Sequence, residues 1–388
     1  MHTFIPCGIV SPTGIEECIM FSKIYQWIKQ ETVLVIAALC GILTMFFAPP
    51  SSEYIQYIDL KVLCLLFCLM TVVAGFQSCG VFHWLAIQLL KKSKNGRILS
   101  VVLVMLPFFT SMLVTNDVAL LTFVPFTILL LDQIACPKAL VPVLVLQTIA
   151  ANLGSMATPV GNPQNLFLYA AYNLSAGDFF SAVLPLTLFS FICLVASSLP
   201  ILPAKLPKIA MGRQSIANPH RLLIYGLLFV LCLLTVFRIV HFAITTLAVI
   251  VIVFFTDKQL LKKPDYALLA TFVCFFIVSG NLGKIESIRQ GLNVLLQKNT
   301  LITATLTSQV ISNVPAAVLL SGFTESWKPL LQGVNIGGLG TPVASLASLI
   351  TLKLYTSAKD ANLSHFLLIF TLYNVIGLVL LLLLTMLF

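Results

Sequence analysis

A chain of 388 residues that is 59% hydrophobic and only 9% Asp, Glu, Lys and Arg lies far from soluble globular domains, which run near 45–50% apolar and about 25% charged. This excludes a soluble enzyme, a disordered scaffold and a nucleic-acid-binding module. A membrane span takes roughly 20 apolar residues, so the length leaves room for a polytopic membrane protein of around ten crossings. The net charge of +9 is no nucleic-acid signature, because the basic residues sit in loops between apolar runs, mostly alternate ones.

Residues 1–30 hold no uninterrupted apolar stretch and no small-residue cleavage site. They read as a cytoplasmic N-terminal segment rather than a removable signal peptide. Apolar runs then predict spans near 31–48, 60–80, 137–172, 178–200, 220–238, 241–256, 264–280, 330–353 and 364–388. Between the second and third, Lys91-Lys92-Ser93-Lys94 after a run containing His83 and Trp84 predicts an interfacial helix on anionic lipid. Two more runs, 98–131 and 299–327, are each interrupted at the middle by polar residues: Thr115-Asn116-Asp117 in one, Ser312-Asn313 and Pro315 in the other. Such residues gain nothing in a straight helix at membrane depth, whereas a re-entrant hairpin needs a polar, non-helical tip.

The positive-inside rule supports this topology. With both hairpins and a cytoplasmic N-terminus, 16 of the 22 basic residues fall inside; Lys61, Arg238, Lys284, Arg289, Lys298 and Lys328 fall outside. Counting either hairpin as one full crossing scrambles the segregation. The ten cysteines form no CxxC pair and lie mostly in apolar runs, so they read as packing. The five histidines show no metal or triad spacing.

The chain repeats itself. Asn152-Leu-Gly-Ser-Met-Ala-Thr158-Pro159-Val160 recurs as Asn335-Ile-Gly-Gly-Leu-Gly-Thr341-Pro342-Val343, with five of nine positions identical. Each copy interrupts an apolar span and follows a hairpin with a Thr/Ser-Asn tip. Gly154 and Gly337 are expected to permit unwinding, and Pro159 and Pro342 to end the hydrogen-bond ladder. The predicted fold is an all-α polytopic membrane protein of about nine full spans and two hairpins in two inverted repeats. Residues 31–200 form the first repeat (hairpin 98–131, broken helix 137–172). Residues 201–240 form a basic linker and linker span, and 241–388 the second repeat (hairpin 299–327, broken helix 330–353). Inverted repeats with interrupted helices point to a secondary transporter whose site lies near the midplane.

These motifs, Thr115-Asn116-Asp117, Asn152 to Val160 with Gly161-Asn162-Pro163-Gln164-Asn165, and Ser312-Asn313-Val314-Pro315, resemble the ion transporter superfamily. It includes divalent anion/sodium symporters, citrate carriers, arsenite permeases and a class of sodium/proton antiporters. The resemblance covers about residues 31–388. It implies a homodimer in a cell (inner) membrane, with a fixed scaffold and a transport domain that moves like an elevator. It also implies two cation sites between tips and breaks, sodium being the candidate ion. One comprises Ser111, Thr115, Asn116 and the Ala157 carbonyl; the other comprises Ser308, the Ile311 carbonyl, Asn313 and the Gly340 carbonyl. Interhelical hydrogen bonding is the alternative role for such hydroxyls.

No Lys or Arg falls in the motifs, so a small anion would be held by helix N-termini with Thr115, Asn116, Asp117, Thr158, Pro159, Ser312, Asn313, Thr341 and Pro342, and by a co-bound sodium ion or proton. The tips depart from the Ser-Asn-Thr of the dicarboxylate carriers. Asp117 is a candidate proton or sodium carrier, because a carboxylate at membrane depth is costly, with helix capping as its alternative role. An ionised Asp117 repels a dianion. The leading expectation is a transporter of a di- or tricarboxylate or inorganic oxyanion, coupled to sodium or protons. An arsenite-type metalloid exporter or a sodium/proton antiporter is the alternative. An intramembrane enzyme lacks a partner for Asp117, a channel does not explain the inverted repeat, and there is no P-loop.

Overall fold

The computed structural model describes residues 31–91, 95–205, 216–358 and 361–387, and these contain helices and no strand. The expected segment 1–30, Lys92, Lys94 and residues 206–215 of the basic linker lie outside them. Helices α1 (Thr32–Met45), α2 (Leu60–Ser78) and α3 (Val81–Lys91) come first. Helices α4 (Gly96–Thr110) and α5 (Asn116–Gln133) flank a break at 111–115, and α6 (Pro137–Ser155) and α7 (Pro163–Ala171) flank another at 156–162. Then follow α8 (Ala176–Ser198), α9 (Pro219–Val236), α10 (Phe242–Asp257) and α11 (Tyr266–Lys284). Helices α12 (Glu286–Ile311) and α13 (Asn313–Ser321) meet at Ser312, α14 (Trp327–Ile336) and α15 (Leu346–Thr356) flank 337–345, and α16 (Leu363–Thr385) closes the chain.

Helix starts follow capping chemistry, in which a short polar side chain takes an N–H that the first turn leaves unpaired. Asp59 accepts from the Val62 N–H, Asn162 from Asn165, Ser175 from Asp178, Asp265 from Leu268 and Asn362 from His365. Proline opens α6, α7 and α9, where its missing N–H costs nothing. Helix α4 packs on α6, α1 on α11, and α2 on α9 and α10. Phe108, Phe123, Phe179, Phe272, Phe366 and Phe370 are among the largest buried side chains of the core, which also buries asparagines such as Asn116, Asn152 and Asn335.

Among the described residues, eight helices are long and apolar enough to cross a membrane by length and composition. This differs from the nine expected full spans for physical reasons. The run 330–353 arrives as two shorter helices, and α1, at 14 residues, reaches only about 21 Å; the run 137–172 keeps a span-length helix in α6, and α5, expected as one arm of a hairpin, is itself long and apolar enough to cross. The second interrupted run also starts earlier than expected. Residues 286–298 form a helix, and the chain kinks at Asn299 (φ −163°, ψ 96°), whose side chain caps the Ile302 N–H.

Burial, and then the nearby Asp265 carboxylate, push Glu31 above its usual value, with Lys353 opposing.

Candidate functional site

The candidate site comprises four chain interruptions: 111–115 and Ser312, the positions expected as hairpin tips, and the breaks 156–162 and 337–345. At the first tip Thr115 is extended (φ −64°, ψ 151°) and starts α5 without using its hydroxyl as a cap. At the second, Ser312 has φ +73°, a region that costs a non-glycine residue about 1–3 kcal/mol and persists only where the surroundings impose it. Its hydroxyl donates to the Ala344 carbonyl at 3.3 Å.

Equivalent contacts tie each tip to its own break. The Thr158 hydroxyl donates to the Met112 carbonyl at 2.5 Å, and the Thr341 hydroxyl to the Gln309 carbonyl at 3.0 Å. Ser111 and Ser308, expected as cation ligands, donate back to the Phe108 and Ala304 carbonyls within their own helices, at 3.0 and 2.8 Å. The Ala157 and Gly340 backbones lie buried in the breaks.

The two breaks exchange hydrogen bonds crosswise. Asn152 accepts from the Asn116 amide at 2.9 Å and from the Ser345 hydroxyl at 3.0 Å, and donates to the Gly338 carbonyl at 3.2 Å. Asn335 donates to Asn165 at 2.7 Å and accepts from Asn162 at 3.2 Å. The asparagine that opens each motif copy thus bonds into the other copy's break. Asn116, Asn152, Asn313 and Asn335 are 3–6% exposed, and Asn313 Nδ2 comes within 2.9 Å of a Cβ built on Gly338. Asn152→Ala orphans three buried groups, at about 1–3 kcal/mol each, and is expected to lower the melting temperature of the purified protein more than Asn335→Ala, which orphans fewer. Equal melting of Asn152→Ala and wild type would remove the network from the stability of the site.

The glycines divide the work differently from expectation. Gly154 is helical and serves close approach instead of unwinding: a Cβ there meets the Phe108 carbonyl oxygen at 2.1 Å. Gly340, not Gly337, takes the left-handed conformation (φ +107°) in the second break, where the first copy has Ala157.

Asp117 stands in the first turn of α5 with Oδ1 buried and unpartnered. With Thr115 it lines a cavity of about 210 Å³ bounded by Gln77 of α2 and by Lys263 and Asp265 before α11. Thr341 and Pro342 line a different cavity of about 280 Å³, with Gln309 and the α16 residues Thr371 and Val375. Of the expected substrate ligands, Thr115 and Asp117 therefore share one cavity and Thr341 and Pro342 another, while Asn116, Thr158, Ser312 and Asn313 line neither. Sequence reasoning missed Gln309, Ser345 and Asp265, and gave Asn165 only as a motif residue. The available signal was a carboxamide inside an apolar run, as at Gln309. Among the described residues no group of three or more His, Cys, Asp or Glu could hold a metal ion.

A family model described as citrate transporter matches residues 18–332, spanning the first tip, the first break and the second tip. An uncharacterized transporter of Methanocaldococcus jannaschii is 35% identical over 323 residues, 82% of this chain and 86% of that protein. The inner membrane protein YbiR of Escherichia coli is 28% identical over 321 residues, 81% and 86% of the two chains. A silicon efflux transporter of Oryza sativa subsp. japonica is 33% identical over 150 residues, 38% of this chain and 30% of its own length.

Proposed function

Because this chain belongs to the citrate transporter family, we propose that it is a secondary active transporter of a small anion, a di- or tricarboxylate or an inorganic oxyanion, coupled to sodium or protons. The observation that carries the reading is the crossed bonding of Asn152 and Asn335. It joins two helix breaks that supply partial charges for a polar cargo without Lys or Arg. An anion in such a site depends on half-helix ends, on Asn116, Asn313, Thr158 and Thr341, and on a co-bound cation.

In this reading the two halves are inverted repeats, and 111–115 and Ser312 are the tips of re-entrant hairpins. The tip-bearing and broken helices move as one body against α1, α2, α10 and α11, within a homodimer. Two cavities along that seam support the motion. One is the 210 Å³ space at Asp117. The other, of about 520 Å³, lies between Tyr57 and Asp59, the end of α7 at Tyr172, and Glu325 beyond α13. A second reading, metalloid export or cation/proton antiport, is favoured by the unpartnered Asp117 carboxylate and by the silicon efflux transporter among the relatives.

Melting of the detergent-purified protein tests both, since binding to the folded state raises stability by mass action. The panel is citrate, succinate, malate, sulfate, phosphate and arsenite, each with sodium or choline at two pH values. The first reading expects one anion to stabilise only when the cation is present. A melt moved by sodium or pH, to which no anion adds, overturns it in favour of the second.

A further inference from the structure

We propose that Asp117 and Asp265 form a cation site across the cavity between α2, α5 and the start of α11, where both carboxylates hold one sodium ion or proton and Lys263 limits how tightly; the inference rests on the cation-coupled reading above. The cavity, of about 210 Å³, is lined by Thr115 and Asp117 from the moving body of that reading and by Gln77, Lys263 and Asp265 from the other. Asp117 Oδ1 is buried there without a partner. Thr115 starts α5 without spending its hydroxyl on the helix end. Asp265 gives Oδ1 to the cap of α11, accepting the Leu268 N–H at 2.8 Å, which leaves Oδ2 outside the cap.

Two carboxylates on one small cavity repel each other unless a cation or a proton lies between them. Asp265 is close enough for its charge to act on Asp117, and the protein neutralises neither. Among the described residues the ion pairs join Arg221 to Asp257, Lys284 to Glu53 and Arg289 to Glu286. Lys263 lines the cavity yet pairs with neither carboxylate. Beyond it, the charges that meet Asp265 are Glu31, on which Asp265 acts, and Lys353, which acts on Glu31 in the opposite sense. A hard cation takes oxygen ligands, and carboxylate, hydroxyl and carboxamide oxygens are what this cavity offers. The Lys263 ammonium repels such an ion and so keeps it exchangeable.

A second place in the chain separates this arrangement from an ordinary helix cap. Asp59 caps α2 as Asp265 caps α11, accepting the Val62 N–H at 3.1 Å. It also lines a cavity with an acidic neighbour, Glu325. Glu325 is exposed, however, so that cavity has no buried, unpartnered carboxylate facing the cap. Only at Asp265 do a capping aspartate and a buried unpaired carboxylate share one space.

The test titrates the melting temperature of the full-length purified protein with sodium against choline at constant ionic strength, and separately with pH in choline. Wild type is expected to saturate in whichever titration responds. Asparagine caps a helix as well as aspartate does, so Asp265→Asn keeps α11 and removes the charge. It raises the sodium midpoint by about tenfold, or moves the pH midpoint about one unit lower. Lys263→Gln moves the same midpoint the other way, by about threefold. Asp117→Asn abolishes the response, and Asp59→Asn leaves the midpoint within about twofold. An Asp265→Asn midpoint within about twofold of wild type, an equal shift in Asp59→Asn, a response that survives Asp117→Asn, or Lys263→Gln that does not tighten binding overturns the inference and leaves cation coupling intact. Where Asp265→Asn does not melt cooperatively, the direction of the Lys263→Gln shift decides. A wild-type melt unmoved by sodium and by pH overturns the cation-coupled reading together with the inference.

Discussion

Gly154→Ala is expected to destabilise the protein by about 3 kcal/mol, the upper end for an added methyl in a packed interior, and to lower its yield from the membrane. The added Cβ meets Phe108 O, C and Cα at 2.1, 2.7 and 2.8 Å. All three atoms are backbone, so no rotamer change relieves the clash and α6 must separate from α4. That separation carries consequences for the site. Phe108 accepts from Ser111, and the same α6 turn holds Asn152, so the first tip and the crossed network shift together. Gly41→Ala is the control, since a Cβ there has nothing within 4 Å and alanine is the better helix former by about 0.8–1.0 kcal/mol. Melting curves of the two variants beside wild type decide the matter. If Gly154→Ala melts with Gly41→Ala, α4 and α6 do not touch through their backbones.

What the sequence made legible, and what it hid, follows from the range of the forces involved. The four helix interruptions were readable because each is announced locally: polar residues inside an apolar run, a proline without an N–H, and a nine-residue segment that recurs. The helix at 286–298 was not readable as one, because its polar residues erase the hydropathy contrast on which the reading depended, while Asn299 marks the expected start of the interrupted run. Gly154 was legible as a special position but not for its reason. Sequence distinguishes a missing side chain, not whether freedom of φ or closeness of a neighbour requires it. The capping of the breaks lay out of reach altogether. Gln309 finds Gly337 and Leu339 across some thirty residues, and Asn152 finds Gly338 across many more. Such bonds are set by how helices pack, and no local spacing encodes them.

Asp117→Asn discriminates between the two roles open to that carboxylate, because they differ in sign. Asp117 lies in the first turn of α5, where the helix dipole favours a negative charge by about 0.3–1 kcal/mol. If the charge serves the helix end, asparagine destabilises the protein by about that amount in every buffer. The geometry argues otherwise: Oδ1 is buried without a partner and the side chain faces a cavity that also holds Asp265. A buried carboxylate left unpaired costs several kcal/mol, and a carrier that exchanges a cation stands in that state each time the cation leaves. Asparagine keeps the shape and removes the charge. The cation-free protein is then expected to melt higher than wild type, and the response to sodium or pH to disappear. Gradient-driven transport in proteoliposomes falls by at least about tenfold, equivalent to some 1.4 kcal/mol on the barrier. Exchange of cargo between equal concentrations on the two sides survives, since it needs no net movement of the cation. Full gradient-driven rate with an unchanged pH profile in Asp117→Asn assigns the carboxylate to the helix end, and the coupling ion must then bind through the hydroxyls and carbonyls of the tips without it.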